Sequence, residues 1–165
     1  MGLLSFIKEA GEKLFNKAEA KVAIAEAQAD PAAEEKQKAA SDAAADAIVT
    51  YIHASNLDAT GLLVTFDAKS GAVAVYGVAP DQETREKIVL CCGNVAGVSA
   101  VTDMMSVDQS APEATYYTVV SGDTLSKIAK TQYGNANDYQ KIFEANKPML
   151  KHPDKIYPGQ MLRIP

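Results

Sequence analysis

One stretch, Asp108-Gln109-Ser110-Ala111-Pro112-Glu113-Ala114-Thr115, constrains the fold more than any other feature of this 165-residue chain. It has a proline, small polar residues and no apolar periodicity, which is the composition of a linker. The chain is therefore expected to fold as two small units, each with a modest core. The cores are modest because much of the 47% hydrophobic content is alanine, which buries little area, and tryptophan is absent.

Charge divides at the same place. Residues 1–115 hold 9 Lys/Arg against 17 Asp/Glu, a balance of −8, whereas residues 116–165 hold 7 against 4, a balance of +3. The halves are expected to attract and dock, with screening over about 8 Å at physiological salt. No basic block occurs, so nucleic acid is not an expected partner. The two cysteines, Cys91 and Cys92, are adjacent. A disulfide between neighbours closes a strained ring, so free thiols and a reducing compartment are expected.

The start, Met1-Gly2-Leu3-Leu4-Ser5-Phe6-Ile7-Lys8-Glu9, lacks the long apolar run of a secretory signal. It also places Phe6 where myristoylation needs Ser or Thr. No run approaches the roughly 20 apolar residues that span a membrane. A cytoplasmic monomer is expected.

Leu3, Ile7, Ala10 and Leu14 recur at helical spacing, with Phe6 and Phe15 nearby, so residues 3–17 read as a helix interrupted by Gly11. Such a helix lies on a membrane surface or docks on its own protein. Lys8, Lys13 and Lys17 are offset by Glu9, Glu12 and Glu19, which favours docking. Asp30-Pro31 reads as an N-cap followed by a first-turn proline. One helix would end near Ala29, and another would open at Pro31 and run to His53, unless a separate helix starts at Ser41-Asp42. Between them the alanine-rich stretch reads as a solvated spacer.

Residues 62–66 and 72–78 read as two strands joined through Asp67-Ala68-Lys69-Ser70-Gly71, with Leu62, Val64 and Phe66 on one face. Asp81 caps a helix that buries Ile88, Val89 and Cys92 and ends at Gly93. Residues 98–107 make a third strand. Beyond the linker, Tyr116 to Val120 is a strand and Leu125, Ile128 and Ala129 mark a helix ended by Tyr133-Gly134. A second helix carries Tyr139, Ile142 and Phe143, and Met161 to Ile164 close the unit. The fold class is α+β: a helix–strand–strand–helix–strand sandwich followed by a β-α-α-β unit.

No catalytic set is recognisable. His53 and His152 lie in different units and read as surface residues. Nucleophile-elbow, phosphate-loop, zinc and EF-hand patterns are missing from the sequence. A binding protein rather than an enzyme is expected. Gly93-Asn94-Val95-Ala96-Gly97-Val98, between a helix end and a strand, admits two readings. It is a plain turn, or a place where carbonyl oxygens face outward at the negative end of a helix and suit a loosely hydrated monovalent cation.

Residues 116–164 resemble a LysM module through Tyr117-Thr118-Val119, Ser121-Gly122-Asp123-Thr124-Leu125, Ile128-Ala129, Tyr133-Gly134, Asn146 and Ile156-Tyr157-Pro158-Gly159-Gln160. That family binds N-acetylglucosamine polymers such as peptidoglycan or chitin. The resemblance implies a sugar groove between the Gly122–Leu125 turn and the Met149–Pro158 loop, with Gly122, Asp123, Thr124, Leu125, Ile156 and Tyr157 as candidate ligand residues. Residues 41–107 resemble a BON domain, with Gly77, Gly93 and Gly97 at the matching glycines.

The division is then 1–40 as an N-terminal helical segment and spacer, 41–108 as BON, 109–115 as linker and 116–165 as LysM. Taken with Met1-Gly2-Leu3, Phe6, Lys8, Ala10-Gly11-Glu12-Lys13-Leu14 and Ile142-Phe143-Glu144-Ala145-Asn146-Lys147-Pro148-Met149-Leu150, the combination resembles the bacterial cytoplasmic potassium-binding BON–LysM proteins. That resemblance implies selective K+ binding with a change to a more compact form. It also implies an ion held by backbone carbonyls of Ile7, Ala10 and Glu12 from the N-terminal segment and of Gly93, Val95 and Val98 from the BON loop. The alanine-rich stretch around residues 18–45 departs from the family pattern.

Overall fold

The computed structural model describes residues 2–5 and 34–165. Helix α1 (Glu34–Ala54) runs unbroken through Ser41-Asp42. It presents Ala44, Ala45, Ile48 and Ile52 to the core, the helical spacing that buries one face. Strands β2 (Thr60–Asp67) and β3 (Ala72–Asp81) form an antiparallel hairpin. Helix α2 (Gln82–Gly93) crosses over to β4 (Ala100–Gln109), which pairs parallel to β3. This strand–helix–strand step is what parallel pairing requires. The Asp81 carboxylate accepts the Thr84 amide at 2.7 Å and so caps α2.

Both helices pack on the sheet and on each other. Val64 and Phe66 of β2, Val73 and Val75 of β3 and Val101 of β4 fill the core beneath them, with Leu62 partly buried on its margin. Strand alternation sets this inward face. The opposite face carries Leu63, Tyr76 and Met104, which stand across from one another on three adjacent strands and are exposed.

The helix expected over residues 3–17 is corrected at its start. Gly2–Ser5 is a strand, β1, antiparallel to β4 with Gly2 opposite Asp103 and Ser5 opposite Ala100. Four residues with a glycine and no cap gain little as a helix, whereas β4 offers an edge of unpaired backbone groups. The sheet order is therefore β1-β4-β3-β2. Residues 6–17 and the Asp30-Pro31 cap lie outside the described residues.

Strands β5 (Thr115–Thr118) and β6 (Met161–Ile164) form an antiparallel ribbon. Between them come α3 (Leu125–Tyr133), a 3-10 turn (Ala136–Asp138) and α4 (Tyr139–Ala145). Thr124 caps α3, and Gly134 ends it with φ at +79°. A second core gathers Val119, Leu125, Ile128, Ala129, Ile142, Leu150, Leu162 and Ile164. The class is α+β in both units, as the sequence pattern implies.

One glycine is fixed by close packing. Gly77 has φ of +140°, and a Cβ there would stand 3.2 Å from the Leu62 Cα and the Thr60 carbonyl oxygen. These atoms belong to the irregular stretch of β2 between Thr60 and Leu63. Gly77→Ala is expected to lower unfolding free energy by about 2 kcal/mol or more, read by urea denaturation, because both the conformation and the backbone contact oppose it.

Candidate functional site

Helix α2 is buried over most of its circumference: Ile88, Val89, Leu90, Cys91 and Cys92 are all closed to solvent. A helix apolar on every side needs more than one cover. The sheet and α1 supply two, and the LysM-like unit supplies the third through Met149 and Met161, which join the first core. Desolvation pushes the Cys91 thiol up to about 12 and raises Cys92 well above its ordinary value, so both are neutral packing groups. Both are free. His53 and His152 are exposed.

The loop after α2 is buried from Gly93 to Ala96 and again at Val98. Asn94 caps the helix, its amide reaching the Leu90 and Cys92 carbonyls. The Val98 amide closes a turn onto the Val95 carbonyl at 3.2 Å. Gly97 stands at φ of +89°, so the bend uses a conformation that glycine tolerates best. The last turn of α2 holds no basic side chain, so the helix itself supplies no cation to its negative end. At the loop's exit, the Ser99 amide donates to the Gly71 carbonyl at 2.8 Å, tying it to the β2–β3 hairpin.

Of the sequence-identified oxygens, those of Gly93, Val95 and Val98 thus lie on one loop at one helix end. Ile7, Ala10 and Glu12 lie outside the described residues. The pairing of Ser5 with Ala100 brings the end of β1 to the strand that Val98-Ser99 enters. The loop sequence has no acidic side chain, so its donors are carbonyl dipoles, which fit a monovalent cation better than a divalent one.

The contacts between the two units were not legible in the sequence. Glu86, 3% exposed, accepts Gln82 Nε2 at 2.8 Å and the Ala114 amide at 2.9 Å on one oxygen, and Arg163 Nε at 2.5 Å on the other. Beside it Arg85 Nε donates to Asp103 at 2.9 Å. The Asn94 side chain reaches both backbone groups of Met161, donating to its carbonyl and accepting from its amide, each at 3.3 Å. Asn94 was visible in the glycine loop, but nothing local marks a partner so distant in sequence.

In the LysM-like unit, the candidate groove residues play mixed parts. Gly122 is exposed with φ of +86°, and its carbonyl accepts Lys127 Nζ at 2.8 Å. Asp123 accepts the Tyr117 hydroxyl and the Val120 amide, both at 2.9 Å. Thr124 is an exposed cap, and Leu125 is core. Ile156 is half-buried against that core. Burial raises the Tyr157 hydroxyl well above its ordinary value, and Tyr51 of α1 pushes it further, so this loop faces the first unit.

The BON domain family model matches residues 41–109, and the LysM domain family model matches residues 117–165. The potassium binding protein Kbp of Escherichia coli is 42% identical over 169 aligned positions, covering 100% of this chain and 99% of that protein. An uncharacterised protein of Deinococcus radiodurans is 35% identical over 73% of this chain and 51% of its own length. The uncharacterised protein YqbP of Bacillus subtilis is 39% identical over 34% of this chain. Among the described residues, no helix is long and apolar enough to cross a membrane.

The ion pair between the units yields a prediction. Arg163→Met strands the Glu86 charge and is expected to cost about 3–5 kcal/mol in urea denaturation. Adding Glu86→Gln is expected to restore much of that loss, because the stranded charge goes while an acceptor remains for the Ala114 amide.

Proposed function

The chain belongs to the family of the potassium binding protein Kbp, and from that premise we propose that it is a cytoplasmic K+-binding protein, a sensor or buffer and not an enzyme. The ion would be held by the carbonyls of Gly93, Val95 and Val98 together with those of Ile7, Ala10 and Glu12. Carbonyl dipoles replace the hydration shell of K+, and their number and field favour it over Na+.

The observation that carries this reading is the register of β1. Ser5 stands opposite Ala100, two residues beyond Val98. Consecutive Cα atoms are about 3.8 Å apart, so Ile7 lies within about 8 Å of Ser5 whatever the path between them. The place of the loop at the negative end of α2, whose last turn holds no basic side chain, supports the same reading. An ion shared by both stretches would tie the N-terminal segment to the BON domain. Docking of the BON and LysM domains, with the chain as a monomer, would then give the compact form. A ligand shifts the equilibrium only through its differential affinity for the two forms.

Calorimetry on protein freed of potassium tests this, with KCl and NaCl titrated at matched ionic strength. Saturable heat with KCl and much weaker heat with NaCl is expected; equal or absent heats would sink the proposal. At a hundred times its Kd, KCl is also expected to raise the unfolding free energy by about 2.7 kcal/mol. Gly97→Val is expected to cost more than the ~1 kcal/mol of ordinary glycine propensity and to weaken K+ binding, because φ of +89° is poor for a β-branched residue.

A second reading, binding of an N-acetylglucosamine polymer, draws on the LysM match and the exposed Gly122 and Thr124. Retention of the full chain on insoluble peptidoglycan would support it. A chain left wholly in the supernatant removes it.

A further inference from the structure

Among the described residues, strand β6 has one strand neighbour, yet all four of its residues are buried. Its other edge must find partners other than water. Two asparagine side chains provide them. Asn146, from within the LysM domain, donates to the Arg163 carbonyl at 2.8 Å and accepts its amide at 2.8 Å. Asn94 does the same for Met161 across the domain boundary, at 3.3 Å on both bonds. Each imitates one rung of a strand pairing. The inner rung is at ideal length, while the outer one lies beyond the usual range and has room to tighten.

Asn94 is also the cap of α2, and its backbone joins Gly93 to Val95. The peptide plane that carries the Gly93 carbonyl turns about the Asn94 N–Cα bond. Reorienting it to aim its oxygen at an ion shifts the Asn94 side chain, which is 4% exposed. The geometry points to Asn94 as a positioning residue that couples occupancy of the cation loop to docking of β6. The inference rests on the K+ reading above and goes beyond it by naming the residue and the bonds that carry the coupling. The Glu86–Arg163 pair lies two turns earlier on α2 and holds the domains together independently of the loop. Linkage is reciprocal, so an ion that strengthens the Asn94–Met161 rung is itself bound more tightly when the rung is made.

Amide hydrogen exchange on the isotope-labelled full chain, with KCl or NaCl, reads this rung directly. In the wild type, K+ is expected to slow exchange at the Met161 amide by about fivefold or more, with NaCl much less effective. The Arg163 amide, already held by Asn146, should respond far less. Asn94→Ala is expected to bind K+ about fivefold or more weakly by calorimetry, with Met161 exchange no longer responsive to the ion. A merely structural asparagine would not change the ion dependence. Wild-type protein that binds K+ without altering Met161 exchange overturns the coupling and leaves the K+ reading standing. So does Asn94→Ala protein with unaltered affinity. Wild-type protein that binds no K+ overturns both. Should Asn94→Ala fail to fold, the wild-type exchange experiment decides alone.

Discussion

A buried strand edge cannot be left open, and β6 is the place where this chain meets that demand. Among the described residues, β5 alone pairs with β6, so the far side of the ribbon falls to side chains. Asn146 serves one position from inside the unit, and Asn94 serves the other from outside it. The second unit is thus completed by a residue of the first. Hydrogen bonding of this kind contributes modestly per bond, but a buried backbone group left unmade costs about 1–3 kcal/mol. The arrangement is held more by what separation would expose than by the strength of each contact.

The same logic explains α2. Its second half, Ile88 to Cys92, has no solvent face, so it lies between the sheet, α1 and the LysM unit. Its charged residues gather near its start, where Glu86 meets Arg163 and Arg85 meets Asp103. Its end carries no cation and opens into a glycine-containing loop. One element therefore joins the domains by a paired charge at one end and offers partial negative charge at the other. Under the proposed function, the demands of docking and of ion binding on α2 would be separated along its axis.

Much of this fold was legible because it follows local periodicity. The alternation of Leu62, Val64 and Phe66, the Asp81 cap, and the Met161 to Ile164 run each appear in the structure within a few residues of their reading. What escaped depends on distant partners. Gly2–Ser5 is a strand because β4 has an edge to fill, and nothing within those residues says so. Glu86 looks like a solvated residue of an ordinary helix until Arg163, 77 positions away, is beside it. The loop at 93–98 was recognised by its glycines, yet Asn94 between them was read only as part of a pattern. Its role depends on the bonding needs of a strand in another domain.

The adjacent thiols of α2 have a practical consequence. Cys91 and Cys92 are sealed beneath three separate covers and kept protonated by their surroundings. A thiol-reactive dye can capture them only after the helix has parted from its neighbours, since the thiolate is the reacting form. The chain therefore carries a native clock for its own opening. The rate of capture reports the release of the central helix, with no residue exchanged.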